Sequence, residues 1–369
     1  MFPDPQPYFA GLVDPRRQTK NKLHDLNDIL FIVLAAVLSG VEDWANMEQF
    51  ACEKEAWLRQ FITLANGIPS HDTISDVFTR LDPIQFSLMF NDWVESELPS
   101  LAGRHIAVDG KTLRGSRNAN GTDHVVSLFA CAERWVLGLS AVREKSNEIT
   151  AIPRVLSLLN IAGATVTIDA MGTQREIATL ITDANADYIL ALKGNHPTLS
   201  TAVARRLDEA VRAETLPCVM ERDKNHGRLE TRRYFLSDDV DELPGDGDWP
   251  EFTAIGMVES MREVTGKEAT TERRYFISST NNLGTFAKCI RAHWSIENSQ
   301  HWVLDVQFDE DRNRTRVGHS AKNLAVVRRM ALNILRREEN DKRSLRKRKT
   351  SAAFNDDFRA KLMRGTGTA

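Results

Sequence analysis

The chain has 369 residues, a length that predicts two domains, since a domain usually has about 100 to 200 residues. Hydrophobic residues make up 42% and charged residues 27%, a composition that excludes a disordered, collagen-like or membrane protein. The longest apolar run, residues 29–41, is too short for the roughly 20 residues of a membrane span, and residues 1–5 do not resemble a secretory signal. We therefore expect a cytoplasmic protein.

The net charge of −3 conceals a strong asymmetry along the chain. Residues 312–349 contain 14 Lys and Arg but three acidic residues, a local charge of +11, so the remainder carries −14. A basic segment of this kind is typical of proteins that bind a polyanion such as nucleic acid. A solvated helix face has the same composition, and charge alone does not decide between the two.

The first predicted elements are helices, separated by turn signals such as residues 66–70. Pro99 and Gly103 mark a boundary after them, so we expect an α-helical N-terminal domain over residues 1–100. The helical segments are residues 27–38, 48–62, 75–81 and 83–98.

Residues 103–215 change to short strands and then to strands that alternate with helices. The order β-β-β-α-β-α-β predicts an α/β domain with a mixed sheet, in which an antiparallel meander precedes parallel strands. The segments are strands 105–109, 125–132 and 135–142, helix 148–159, strand 164–169, helix 174–184 and strand 188–192.

The remaining segments break this alternation. Residues 216–284 are strand-like with an acidic, Gly-containing stretch, and they predict a β-rich insertion. Helical periodicity returns over residues 285–340, which we expect to complete the core with one helix from residue 286 to about residue 306 and a second over residues 320–337. Residues 341–369 predict a basic, poorly ordered C-terminal tail.

Two aspartates, Asp109 and Asp169, come directly after predicted strands. An acid at the carboxyl end of a strand lies on the edge where open α/β sheets bind ligands. Asp is also a common turn residue after a strand, so either position alone is weak evidence for a site.

A third acid, Glu297, lies in a helical segment with His293, His301 and Asp305 at intervals of four residues, which share one helix face. Such a stripe is usually the solvated side of a helix. Because this one carries two His and two acids between Trp residues, a functional stripe is an equal alternative. A zinc site formed by His293, Glu297 and His301 is a further alternative, although its spacing does not reproduce the His-Glu-x-x-His pattern.

If Asp109, Asp169 and Glu297 converge, they need a cation. Two carboxylates about 4 Å apart repel by roughly 4 kcal/mol at an effective dielectric constant of 20. Hard oxygen ligands favour Mg²⁺ or Mn²⁺, and two such ions can activate an attacking oxygen and stabilise a leaving one at phosphorus. Phosphodiester chemistry is the natural use of such a site.

Several motifs in this order resemble the H-repeat-associated, ISAs-type insertion-sequence transposases, which are a family of DDE transposases. The resemblance covers nearly the whole chain. The motifs are NGIPSHDT at residues 66–73, IAVDGKTLRG at 106–115, KSNEITAIP at 145–153, TIDAMG at 167–172, YILALKGN at 188–195, HWSIEN at 293–298 and HWVLDV at 301–306.

The resemblance implies an RNase H-like catalytic core, with a β-rich insertion before the helix that carries the glutamate. It implies a DDE triad of Asp109, Asp169 and Glu297 that binds two Mg²⁺ (or Mn²⁺) ions. The implied reaction is cleavage at the ends of the element, which exposes a 3′-hydroxyl that attacks target DNA. Because two ends must be joined, the resemblance also implies a dimer on double-stranded DNA, and hence a nucleoid-associated protein.

One feature departs from the pattern of the wider DDE group. That group often has Tyr, Arg and Lys around the glutamate, where this chain has Ile290, His293 and Leu304. The DNA contacts of those residues therefore do not transfer, and His293 replaces an Arg only in part because its charge is lost near neutral pH.

Other basic residues are candidates for holding DNA phosphates near the acids, although simple solubility is an alternative for each. Asn147 and Glu148 are expected to cap the helix that follows them. The competing function is a catalytically inactive DNA-binding relative of a transposase. The DNA-binding candidates are Lys111, Arg114, Lys145, Lys193, Arg291 and His293.

Overall fold

A computed structural model of the chain describes residues 4–20, 22–98, 100–118, 121–143, 148–225, 228–264, 266, 268–337 and 341–364. None of the described helices combines the length and hydrophobicity that a membrane crossing needs. The helices are α1 Gln6–Phe9, α2 Leu26–Leu38, α3 Trp44–Glu53, α4 Glu55–Leu58, α5 His71–Arg80, α6 Pro83–Glu95, α7 Glu148–Leu156, α8 Arg175–Asp183, α9 Pro197–Arg212, α10 Leu283–His293, α11 Trp302–Gln307, α12 Ser320–Arg337, α13 Leu345–Phe354 and α14 Asp356–Arg364.

The strands form one mixed sheet with the order β3-β2-β1-β4-β5-β9-β8-β7-β6, so the prediction of a mixed α/β fold is confirmed. Strands β1, β4 and β5 are parallel, whereas β2 pairs with β3, and β5 with β9, in antiparallel fashion. The strands are β1 His105–Thr112, β2 Asp123–Ala130, β3 Trp135–Arg143, β4 Thr165–Ile168, β5 Asp187–Leu192, β6 Cys218–Asn225, β7 Arg228–Ser237, β8 Ala254–Val264 and β9 Thr270–Ser278.

The chain divides into two compact units that are discontinuous in sequence. The consecutive domains expected from the sequence differ from this division, because α12 near the C-terminus packs against α2, α5 and α6 from the first hundred residues. Unit 1 comprises Met1–Pro99, Gly110–Leu159 and Ile296–Ala369, and unit 2 comprises Ser100–Asp109 and Asn160–Ser295.

The core of unit 1 is built on α2. Every residue of this helix except Asn27 is buried, which explains why its sequence is apolar on all sides. The Asp25 carboxylate accepts a hydrogen bond from the Asn27 amide and caps the helix, while buried Asp28 accepts one from the Leu64 amide at 3.0 Å. Both aspartates at the start of this apolar helix therefore have hydrogen-bond partners.

Unit 2 contains the part of the sheet formed by the first half of β1 and by strands β4, β5, β9, β8, β7 and β6. Strands β6–β9 fall within the residues expected to form a β-rich insertion, and they extend the sheet because β9 pairs with β5. Helix α10 packs on this sheet through Phe286. A side chain at Gly256 of β8 would collide with the Phe286 ring, so the close approach of helix and strand requires glycine there.

The C-terminal segment differs from the poorly ordered tail expected over residues 341–369. Residues 345–364 form α13 and α14, and the Arg359 side chain is fully buried. Its guanidinium lies 4.1 Å from the centre of the Trp57 ring and donates to the Ala352 carbonyl at 2.8 Å. Charged as well as apolar side chains are buried in this segment. Hydrophobic periodicity alone therefore does not predict these two helices.

Candidate active site

The acids predicted at the strand ends are neighbours on the sheet of unit 2. Val108 of β1 and Ile168 of β4 are partners in the parallel register, and Asp109 and Asp169 each follow directly. Adjacent strands lie about 4.8 Å apart, and the carboxyl ends of parallel strands meet at the same edge. Asp109 is half-buried and Asp169 is exposed. Asp169 follows the end of β4, whereas β1 continues past Asp109 to Thr112, beyond the strand end expected at residue 109. Because the preceding residues are register partners, the two aspartates still lie side by side at the edge where β4 ends.

A tight turn holds Asp169. Its Oδ1 accepts hydrogen bonds from the backbone amides of Met171 at 3.2 Å and Gly172 at 3.4 Å. Within the part of the chain that the structure describes, no hydrogen bond reaches Oδ2. One oxygen is thus used to orient the carboxylate, and the other is available to a cation.

A cavity of about 140 Å³ opens beside Asp169 in unit 2. Its wall includes Lys193, Trp294 and His293. The Trp294 ring is partly exposed, and the Arg274 guanidinium lies 4.1 Å from its centre. A cation, an acid and an aromatic surface thus border one concave space.

Two histidines, His105 and His293, contact the hydroxyl group of Thr167, a residue of the cavity wall. The Thr167 hydroxyl lies 2.7 Å from Nε2 of His105 and 2.7 Å from Nδ1 of His293. Burial lowers the pKa of His105 to about 3, assisted by repulsion from His293, and burial lowers the pKa of His293 to about 4. Both rings are therefore neutral at physiological pH, and His293 faces Thr167 rather than presenting a charge to DNA.

We expect the stability of the protein to fall as the pH is lowered from 6.5 towards 4. The folded-state pKa values of His105 and His293 lie below the unfolded value of 6.5, so the unfolded chain binds more protons throughout this range. Each such histidine contributes a slope of about 1.4 kcal/mol per pH unit. Urea unfolding between pH 7 and 4.5 measures this slope.

The His105→Gln variant should have a shallower slope than the wild type. His71 is the matched control, since this exposed ring has a pKa raised by its hydrogen bond to Glu48 and cannot cause a loss of stability in acid. A His71→Gln variant should keep the wild-type slope. Equal slopes for wild type and His105→Gln would contradict the assignment.

The third predicted acid, Glu297, belongs to unit 1, where the helical run expected to about residue 306 is interrupted. A π-helical turn, Glu297–His301, precedes α11. Such turns widen the helix and occur frequently at functional sites. Oε2 of the exposed Glu297 lies 3.1 Å from Nδ1 of buried His301, and this hydrogen bond lowers the pKa of Glu297. Glu297 therefore stays ionised.

The predicted polar stripe does not act as one face. Asp305 accepts two hydrogen bonds from the Lys111 ammonium, at 2.7 and 2.8 Å, whereas His293 belongs to unit 2 and bonds to Thr167. Of the stripe, Glu297 and His301 remain paired.

The basic candidates occupy different settings. Lys111, expected to contact DNA, is instead buried between Asp305 and Asp311, because its long side chain neutralises two acids of unit 1. Arg114 is exposed, with its guanidinium 3.5 Å from Asp311.

In unit 2, Lys193 is exposed beside the cavity, and Arg291 pairs with Asp223 at 2.7 Å and with Glu221 at 3.5 Å. Lys145, and Asn147 before α7, lie outside the described residues.

A buried histidine–glutamate pair beside strand β1 was not predicted from the sequence. The Glu148 carboxylate, expected to cap α7, is buried and pairs with Nε2 of His124, whose Nδ1 lies 3.0 Å from the Thr112 hydroxyl. Both side chains crowd Gly110, which follows Asp109 in the chain. The sequence signal was a histidine inside the apolar strand β2, where a polar group needs a partner.

We expect the Gly110→Ala substitution to destabilise the protein. A methyl group at this position would collide with the side chains of His124 and Glu148, which are buried and cannot move into solvent. Overpacking of this kind costs about 1 to 3 kcal/mol, and urea unfolding measures it. Gly247→Ala is the control, since no described atom beyond its chain neighbours lies within 4 Å of its added methyl group. Equal stability of the two variants would contradict the packing described here.

Comparison with protein-family models places nearly the whole chain within two matches. A model described as DDE_Tnp_1-associated matches residues 7–94. A model described as Transposase DDE domain matches residues 101–334, which is more than half of the chain.

Related proteins carry transposase names. The chain is 37% identical over 356 residues to "Putative transposase YncI" of Escherichia coli O157:H7, covering 94% of this chain and 91% of the relative. It is 36% identical over 367 residues to "H repeat-associated putative transposase YhhI" of Escherichia coli strain K12, covering 97% of each. A solved piggyBac transposase synaptic complex with hairpin DNA is similar with a TM-score of 0.43 and 9% identity, covering 100% of this chain and 83% of that one.

Proposed function

Because the chain belongs to the DDE transposase family, we propose that it cleaves DNA at the ends of an insertion sequence and transfers the exposed strand to target DNA. The observation that carries this proposal is the placement of Asp109 and Asp169 directly after the register partners Val108 and Ile168. Two acids at one sheet edge, in a chain of this family, suit phosphodiester chemistry better than a purely structural role.

We propose that Asp109, Asp169 and Glu297 are the catalytic acids and that together they hold two Mg²⁺ or Mn²⁺ ions. The donor set fits these metals, because all three ligands are carboxylate oxygens and Oδ2 of Asp169 receives no hydrogen bond from the described residues. When bound, the two ions activate the attacking oxygen and stabilise the leaving oxygen in an in-line displacement at phosphorus.

The surrounding residues orient Asp169 and keep Glu297 charged. The turn after β4 holds Oδ1 of Asp169, and His301 holds Oε2 of Glu297 and favours its ionised form. Lys111 donates its hydrogen bonds to Asp305, and its positive charge also helps to lower the pKa of Glu297.

We assign the contacts with DNA phosphates to basic side chains that are exposed. Lys193 stands beside Asp169 at the cavity and Arg114 projects into solvent, so we propose that both contact phosphates. Arg291 can do so only by leaving its acidic partners. We further propose that the active form is a dimer on the bacterial nucleoid, because strand transfer joins two ends of the element.

The test is cleavage of a labelled duplex that carries the ends of the element. With Mg²⁺ or Mn²⁺ we expect a nick that exposes a 3′-hydroxyl, and with EDTA we expect none until metal is restored. Cleavage that persists in EDTA, or that depends on tightly bound zinc, would refute the proposed chemistry. Tight binding of the ends without cleavage in any metal would instead favour the inactive DNA-binding relative.

A further inference from the structure

The basic segment noted in the sequence forms an ordered surface in unit 1. Arg346 and Lys347 are exposed in the first turn of α13, and Lys342 is exposed in the segment just before the helix. Among the described residues, no carboxylate lies within ion-pair distance of any of these three side chains. We call these three residues the α13 basic face.

The opposite side of α13 is fixed to the protein. Arg348 donates to the Leu335 carbonyl at 2.7 Å, and Lys349 donates to the Gln307 carbonyl and lies 3.4 Å from the Glu42 carboxylate. Ala352 is fully buried. Arg348 and Lys349 therefore contact other parts of the protein and fix α13 in place.

Asp341, the acid next to Lys342 in the sequence, is already paired with another residue. Asp341 accepts hydrogen bonds from the Arg343 backbone and side chain, and these bonds hold the pKa of Asp341 at about 2. Arg343 also stacks on the Phe358 ring at 4.4 Å, so it is engaged on the protein. Among the described residues, no acid compensates the charge of +3 on the α13 basic face.

The helix start adds to this field. The Ser344 hydroxyl caps α13 by accepting from the Lys347 amide, and the N-terminus of a helix carries a partial positive charge.

We propose that the α13 basic face binds the phosphate backbone of duplex DNA without reading its sequence. This inference rests on the proposed function, since it assigns a further part of the DNA to that same reaction. Exposed cations at the start of a helix that is fixed to the protein contact phosphates through charge, and such contacts position a duplex but do not specify bases.

The experiment compares two triple variants of the full-length chain. In the test variant, Lys342, Arg346 and Lys347 are replaced by Ala. In the control variant, Lys20, Arg205 and Arg212 are replaced by Ala; these exposed cations lie elsewhere on the protein, so both variants lose three positive charges. Affinity for a 40-base-pair duplex of arbitrary sequence is measured from 50 to 200 mM salt.

Each phosphate contact contributes about 0.9 to the slope of log affinity against log salt. The test variant should therefore lose about 2.7 from the slope, equally for arbitrary DNA and for element ends, while the control keeps the wild-type slope. Equal slopes for both variants would overturn the proposal and leave the catalytic assignment untouched. A wild type without measurable affinity for duplex DNA at 50 mM salt would also overturn it. A selective loss in the test variant, from a protein that cuts no element ends, would support the surface and refute the proposed function.

Discussion

The Asp169→Asn variant should cleave element ends at least about 10³-fold more slowly than the wild type in Mg²⁺. Loss of one ligand charge removes several kcal/mol of electrostatic stabilisation from a metal-assisted reaction, and about 4 kcal/mol corresponds to 10³ in rate. The amide oxygen of Asn can still accept from the Met171 and Gly172 amides, so the turn after β4 should persist. Single-turnover cleavage with saturating protein measures the effect.

Asp183→Asn is the matched control, because Asp183 is an exposed acid of the same unit at the end of α8. It loses the same charge and should cleave at the wild-type rate. If Asp169→Asn remains folded by circular dichroism and cleaves as fast as Asp183→Asn, then Asp169 is not a catalytic acid.

The largest effect on stability should come from the buried ion pair of α12. The Arg329 guanidinium lies 2.9 Å from Oε1 of Glu310, and both side chains are almost wholly buried. Burial opposes the charge of Glu310, but Arg329 and Arg328 outweigh it and lower the pKa of Glu310. Arg329→Ala leaves this carboxylate buried and unpaired, at a cost of about 3 to 5 kcal/mol measured by urea unfolding.

Two further variants distinguish the lost pair from lost packing. The double variant Glu310→Gln/Arg329→Met removes both charges at similar volume and should recover most of the stability. Arg59→Ala breaks an exposed pair with Glu55 on the surface and should cost under about 1 kcal/mol. A double variant as unstable as Arg329→Ala would show that packing, and not the unpaired charge, causes the loss.

The sequence alone was most informative where structure is local. Alternation of apolar strands with helices predicted the mixed sheet and placed Asp169 directly after a strand, because a strand buried on both faces needs a continuous apolar run. The end of β1 was predicted too early, since the strand continues through the polar residues after Val108 to Thr112. Helical periodicity predicted α12 over the residues that it occupies. The family was indicated by ordered motifs and is confirmed by the comparisons.

The tertiary structure alone decided the partners of charged groups. Lys111 meets Asp305 across 194 residues of sequence, and His124 meets Glu148 behind Gly110, pairings that no local pattern encodes. The C-terminal helices were missed for the same reason, since Arg359 is buried against an aromatic ring rather than within an apolar stripe. Hydrophobic patterns record which side of an element faces the core, whereas an ion pair depends on a distant residue that only the folded chain brings near.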